Sequence, residues 1–143
     1  MKFRILSVIF SVCLWVLVTS LWAAPAWALI PIQLQDLSYK DCPPELAEGA
    51  VSSGSSQEAY CFIITGKANN TSGKMVVDAD IFGRIYDSTN NPVMQNRGRL
   101  GSIDTVPPGI SDFELRISVP SNLEPPLQLK QFKASGFTSR IGR

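Results

Sequence analysis

The sequence predicts an all-β domain, a sandwich of about seven short strands, standing behind an N-terminal export signal. Three observations carry this. Beyond residue 28, apolar residues alternate with polar ones at period two, and no helical period lasts longer than one turn. Turn-forming clusters rich in Gly, Pro, Asn and Ser interrupt the alternation at short intervals. Two cysteines, Cys42 and Cys61, remain in that part of the chain. An even count in an exported chain favours a disulfide over free buried thiols.

The chain opens with Lys2 and Arg4, and an apolar run follows from Ile5 to Val18. It closes on Ala23-Ala24-Pro25-Ala26-Trp27-Ala28. This is the order of a secretory signal: a positive start, an apolar middle and an A-x-A cleavage site. Signal peptidase reads small side chains through shallow pockets, and Ala26 and Ala28 fit them. Cleavage is expected after Ala28, leaving residues 29–137 as the β-domain and 138–143 as a flexible basic tail. The alternative is an uncleaved membrane anchor, since the apolar stretch through Trp22 approaches the roughly 20 residues that span a bilayer.

Removing residues 1–28 leaves 115 of the 143 residues, enough for one domain with one core. All three tryptophans and Cys13 leave with the signal. The 13 basic residues lose Lys2 and Arg4 to become 11 against 12 acidic ones, a net charge of −1. Nucleic acid is therefore not expected as a partner, because its binding needs a clustered basic surface.

Ile32-Gln33-Leu34-Gln35 alternates as a half-buried strand does, and Leu37 and Tyr39 continue out of phase, which predicts a bulge near Asp36. Residues 43–57 hold one possible helical turn, Glu45-Leu46-Ala47-Glu48, and otherwise read as a mobile loop inside a disulfide ring. A bridge across that ring is worth roughly 3 kcal/mol by chain entropy. Residues 58–68 form a strand, and Asn69 to Gly73 a turn. In the strand Lys74 to Tyr86, the odd positions Met75, Val77, Ala79, Ile81, Gly83 and Ile85 are expected to face the core. The even positions from Lys74 to Tyr86 are expected to be mostly wet. Asp87 to Pro92 is a hairpin turn, and residues 93–106 one or two less regular strands. After Pro107-Pro108-Gly109, Phe113, Leu115, Ile117 and Val119 define the cleanest strand, which Pro120 ends. Leu127 to Phe137 is the last, with a phase slip near Gln131.

Three segments together resemble the FxLyD-type immunoglobulin-like domains of bacterial exported proteins. They are Gly66-Lys67-Ala68-Asn69-Asn70, the long strand ending Ile85-Tyr86-Asp87, and Pro108-Gly109 followed by Phe113-Glu114-Leu115-Arg116-Ile117. The likeness covers residues 60–120. It departs at the motif's phenylalanine, since Phe82 lies four residues before Tyr86 instead of three, and Cys42 and Cys61 lie outside the pattern. The resemblance implies an immunoglobulin-like β-sandwich interaction module without catalysis. The Ala-Pro-Ala-Trp-Ala region resembles cyanobacterial export signals, which implies delivery to the periplasm or thylakoid lumen.

The chain contains no histidine. That removes histidine-based nucleophilic and acid–base catalysis and the His-containing zinc sites. There is no phosphate-binding glycine loop. Enzyme activity and a cofactor are accordingly not expected. Asp78 and Asp80 alternate on the wet face and are the one catalytic or metal seed. Solvated strand carboxylates are the ordinary reading, and a small-ligand or calcium site is the alternative function. Phe82, Arg84 and Tyr86 share that face. Aromatics flanking an arginine are common in interface hot spots, so these three form the candidate interface. The competing reading is that a neighbouring segment covers them. Basic clusters at Arg84, Arg97 and Arg99, and at Lys130, Lys133, Arg140 and Arg143, suit contact with an acidic protein face or a membrane surface. An unidentified protein partner is the main expectation.

Overall fold

The computed structural model describes residues 2–21, 29–52, 54–94 and 98–138. The cleavage region at Ala26 and Ala28, Arg97 and the tail arginines Arg140 and Arg143 lie outside the described residues. Helix α1 spans Lys2–Leu21. Its described side chains between Phe3 and Trp15 are exposed around the whole circumference, Phe3 at 92%. Among the described residues no helix is long and apolar enough to cross a membrane.

The rest is all-β. The strands are β1 (Ile30–Asp41), β2 (Ala59–Asn70), β3 (Val76–Tyr86), β4 (Arg99–Val106), β5 (Gly109–Pro120) and β6 (Gln128–Phe137), with one helical turn α2 (Pro44–Ala47). Six strands are present among the described residues, against about seven expected. They pair antiparallel in the continuous order β4-β3-β6-β1-β2-β5, with β1 shared between a β4-β3-β6 part and a β2-β5 part. β1 is the hinge of this sheet. Its first residues, Ile30–Ile32, pair with β6, and the strand from Gln33 onward pairs with β2. Ile64, Val119, Ile81 and Val106, from both ends of the strand order, are buried in one core cluster. The sheet therefore curls over a single core.

Bulges produce the bends. Asp36 and Gln131 adopt φ of 52° and 54°, each at a register shift of its strand. Both sit where the apolar phase slips. β3 holds a third such residue, Asp78 with φ of 49°, which the alternation did not reveal. It inverts the start of the strand: Val76 is fully buried and Met75 is 48% exposed, reversing the expected faces. From Ala79 onward the odd positions face the core as expected, with Ile81 and Ile85 buried. β5 buries Phe113, Leu115, Ile117 and Val119 as its pattern predicts. Gly136 lets β6 lie close on β3, for a Cβ there would come within 2.7 Å of the Val77 carbonyl.

Cys42 and Cys61 form a disulfide, with Cα atoms 5.4 Å apart. The segment inside the ring is less loose than its Gly/Ser content suggests. Val51 bridges to Glu58, and Ala50 and Ser52 are buried.

Candidate protein-binding face

The site grows from cross-strand pairing. Directly opposed residues of an antiparallel ladder project to the same side of the sheet. Phe82 on β3 is opposed by Lys133 on β6 and by Arg99 on β4; Arg84 is opposed by Lys130, and Tyr86 by Gln128. The candidate interface residues Phe82, Arg84 and Tyr86 thus do share one face. The two basic clusters seen separately in the sequence meet there, through Arg84 and Lys130.

Arg84 is exposed, whereas Phe82 and Tyr86 are half-buried. Neither aromatic belongs to the core cluster or to the side chains packed against it. The Lys130 ammonium lies 4.9 Å from the centre of the Tyr86 ring, a cation–π contact that orients both. Arg99 is held by Asp80, its Nε donating to Oδ1 at 2.8 Å.

Three surface depressions converge on this row. One, of about 580 Å³, lies between Pro31–Leu34 of β1 and Phe132–Ser135 of β6, with Phe82 at its edge. That volume is in the range of about 300–1,000 Å³ usual for ligand clefts. It opens because β1 leaves β6 after Ile32, while β6 continues along β3. The Tyr39 hydroxyl accepts a hydrogen bond from the Leu127 amide at 2.9 Å and ties β1 to the chain entering β6 again farther along. The second depression shares Phe82, Phe132 and Lys133 with the first and adds Gly83, Arg84, Gly98 and Gln131. The third runs from Gly83 to Tyr86 and on to Pro92 and Met94. Phe132, which the sequence did not single out, lines two of these depressions while packing against the core cluster. The Gln131 bulge turns its ring over Gly83, where a Cβ would come within 2.6 Å of it.

Asp78 and Asp80 do not make a paired site. Asp78 is an exposed bulge residue, and the Asp80 carboxylate is engaged by Arg99. Among the described residues no three acidic, cysteine or histidine side chains gather as metal ligands.

Two polar side chains within the resembling segments are buried and anchor turns beside the face. Asn70 donates to the carbonyls of Lys74 and Val106 at 2.7 and 3.0 Å, and accepts from the Ser72 amide and hydroxyl. Asn69-Asn70-Thr71-Ser72 spells two overlapping N-glycosylation sequons, and the asparagine of the second, Asn70, is 1% exposed. Asp87, 3% exposed, follows Tyr86 and closes the turn after β3. Its carboxylate accepts from the amide and hydroxyl of Thr89 and from the amide and side chain of Asn91. Burial pushes its pKa up, but these hydrogen bonds outweigh burial and bring it below the ordinary 3.8.

A depressed folded-state pKa means that ionised Asp87 stabilises the fold above the unfolded value. That contribution fades as pH falls from about 3.8 through the lower folded value. Asp87→Asn is expected to lower the urea midpoint at neutral pH and to narrow its gap from the parent at the acid end. A gap that stays constant with pH would show that the carboxylate's charge is not used.

Comparison with models of protein families, with curated proteins and with solved structures finds no match to this chain.

Proposed function

We propose that the chain is an exported, non-enzymatic interaction module that binds another protein through the Phe82–Arg84–Tyr86 row. The observation that carries this reading is the position of Phe82 and Tyr86. They are large rings outside the core cluster, partly exposed, beside neighbouring depressions. Such rings contribute little to folding where they stand but offer roughly 1–3 kcal/mol to a partner that covers them. The resemblance to FxLyD-type immunoglobulin-like domains supports the same role. The disulfide supports an oxidising compartment, periplasm or thylakoid lumen. The exposure of the described apolar side chains of α1 supports its reading as a cleaved signal.

The test has two arms. Intact mass of the protein from its native host is expected to match a chain beginning at Leu29; a retained Met1 to Ala28 would establish an anchor instead. Phe82→Ser and Tyr86→Ser are expected to weaken crosslinked partner capture at least about tenfold, the loss of roughly 1.4 kcal/mol, while the protein still melts cooperatively. Unchanged capture by both variants would end this reading.

A further inference from the structure

We propose that the partner presents an extended acidic segment, which lies in the groove formed by the three joined depressions. This rests on the binding face proposed above and names what it binds. The first depression shares Phe82, Phe132 and Lys133 with the second, and the second shares Gly83, Arg84 and Gly98 with the third. Together they run across the strands from β1 over β6 and β3 to the approach of β4. Neighbouring depressions that cross several strands, with Phe82 along them, suit a chain segment better than a compact ligand.

The charge around the trough has one sign. Arg84, Lys130 and Lys133 stand on this face, and the carboxylate beside them, Asp80, is neutralised by Arg99; the other acid on the β4 side of the face, Asp104, lies at the far end of that strand. Among the described residues, neither Arg84, Lys130 nor Lys133 has an ion pair. By contrast, Lys40 is paired with Glu114 and Lys67 with Asp112 on the β1-β2-β5 side. Arg84 lies directly opposite Lys130. Like charges in that position repel and destabilise a sheet. Such a local conflict is what a binding site retains, because the ligand's carboxylates relieve it. The cation–π contact to Tyr86 holds Lys130 near the groove in the meantime.

Charge complementarity also separates an acidic protein from a lipid surface. Lipid recognition by charge uses clusters of about four to eight basic residues on a projecting segment. Here three unpaired cations border a concavity, which a flat bilayer does not enter.

The test uses full-length chain with its disulfide formed and a fluorescein-labelled peptide of Glu-Leu-Glu-Ser repeats. Fluorescence anisotropy is expected to show binding that weakens as salt rises. The same peptide with Gln for Glu is expected to bind at least about tenfold more weakly, and so is the Glu peptide to a Lys130→Glu, Lys133→Glu double variant. That variant should melt no earlier than the parent, since the carboxylate introduced in place of Lys130 would face Arg84 across the strands. Lys133→Gln serves if the double variant fails to fold, with a smaller loss in the same direction. Equal binding of the Glu and Gln peptides, or undiminished binding by the charge variants, overturns the inference. So does failure of the Glu peptide to bind, and so does capture by phosphatidylglycerol vesicles in its place. If partner capture falls with Phe82→Ser but not with the charge variants, the binding face stands and the acidic partner is rejected.

Discussion

Ile81→Ser is expected to lower the stability of the domain by about 4 kcal/mol, and Phe82→Ser, one residue along the same strand, by only about 1 kcal/mol. Ile81 is fully buried in the core cluster. Replacing it removes packed methyl groups, leaves a cavity, and buries a hydroxyl. A typical domain has about 5–15 kcal/mol in all, so this variant is close to unfolding. Phe82 is half-buried and outside the core cluster, so its loss removes less packed surface. Urea midpoints at constant m value measure both. Leu115→Ser, at 8% exposure, should resemble Ile81→Ser. If Phe82→Ser unfolds as early as the core variants, the aromatic is a packing residue and the binding face disappears.

Asn70→Ala is expected to destabilise by about 3 kcal/mol, a large effect for a turn residue. The Asn70 amide donates to Lys74 and Val106, which belong to the chain entering β3 and the end of β4, while Asn70 itself ends β2. One side chain therefore joins the end of β2 to the opposite end of the strand order. Removing it takes this donor from the buried Val106 carbonyl, a loss of about 1–3 kcal/mol, and weakens the part-buried turn at the Lys74 carbonyl, which keeps the Ser72 hydroxyl. Asn70→Asp is nearly isosteric but has no donor, and its charge would face two carbonyl oxygens. It should be at least as damaging as alanine in the same denaturation experiment. Tolerance of aspartate would show that the acceptor bonds to Ser72, and not the donor bonds, matter.

The elements that sequence reveals best are those with only one apolar phase. In β5, Asp112, Glu114, Arg116 and Ser118 leave no ambiguity about which side is wet. The bulges at Asp36 and Gln131 show because an apolar set stops and resumes out of step. Asp78 is hidden because Met75, Val76 and Val77 are all apolar, so both phases are occupied where the strand begins and tertiary packing chooses between them. Asn70 reads as a turn former, since a buried amide and a solvated one have the same local signature. The proposed binding face is half legible in the sequence. Its aromatics share a strand with Arg84, but Lys130 and Lys133 join them only through pairing of β3 with β6, and no local pattern encodes that pairing. Phe132 needed the bulge geometry as well.

The strand order also sets when this domain can exist. β6 lies between β3 and β1, so the last strand made is the one that unites the two halves. Until residues 128–137 are present, β3 and β1 have bare edges facing a gap and the common core has no closing wall. The common core must therefore wait for residues 128–137. A molecule passing through a narrow pore with its amino end leading would remain unfolded until nearly all of it had crossed. Contacts between the first and last strands make the final closure slow for a chain of this size. For a chain that is exported, the late strand would act as a timer that keeps the polypeptide threadable during the crossing.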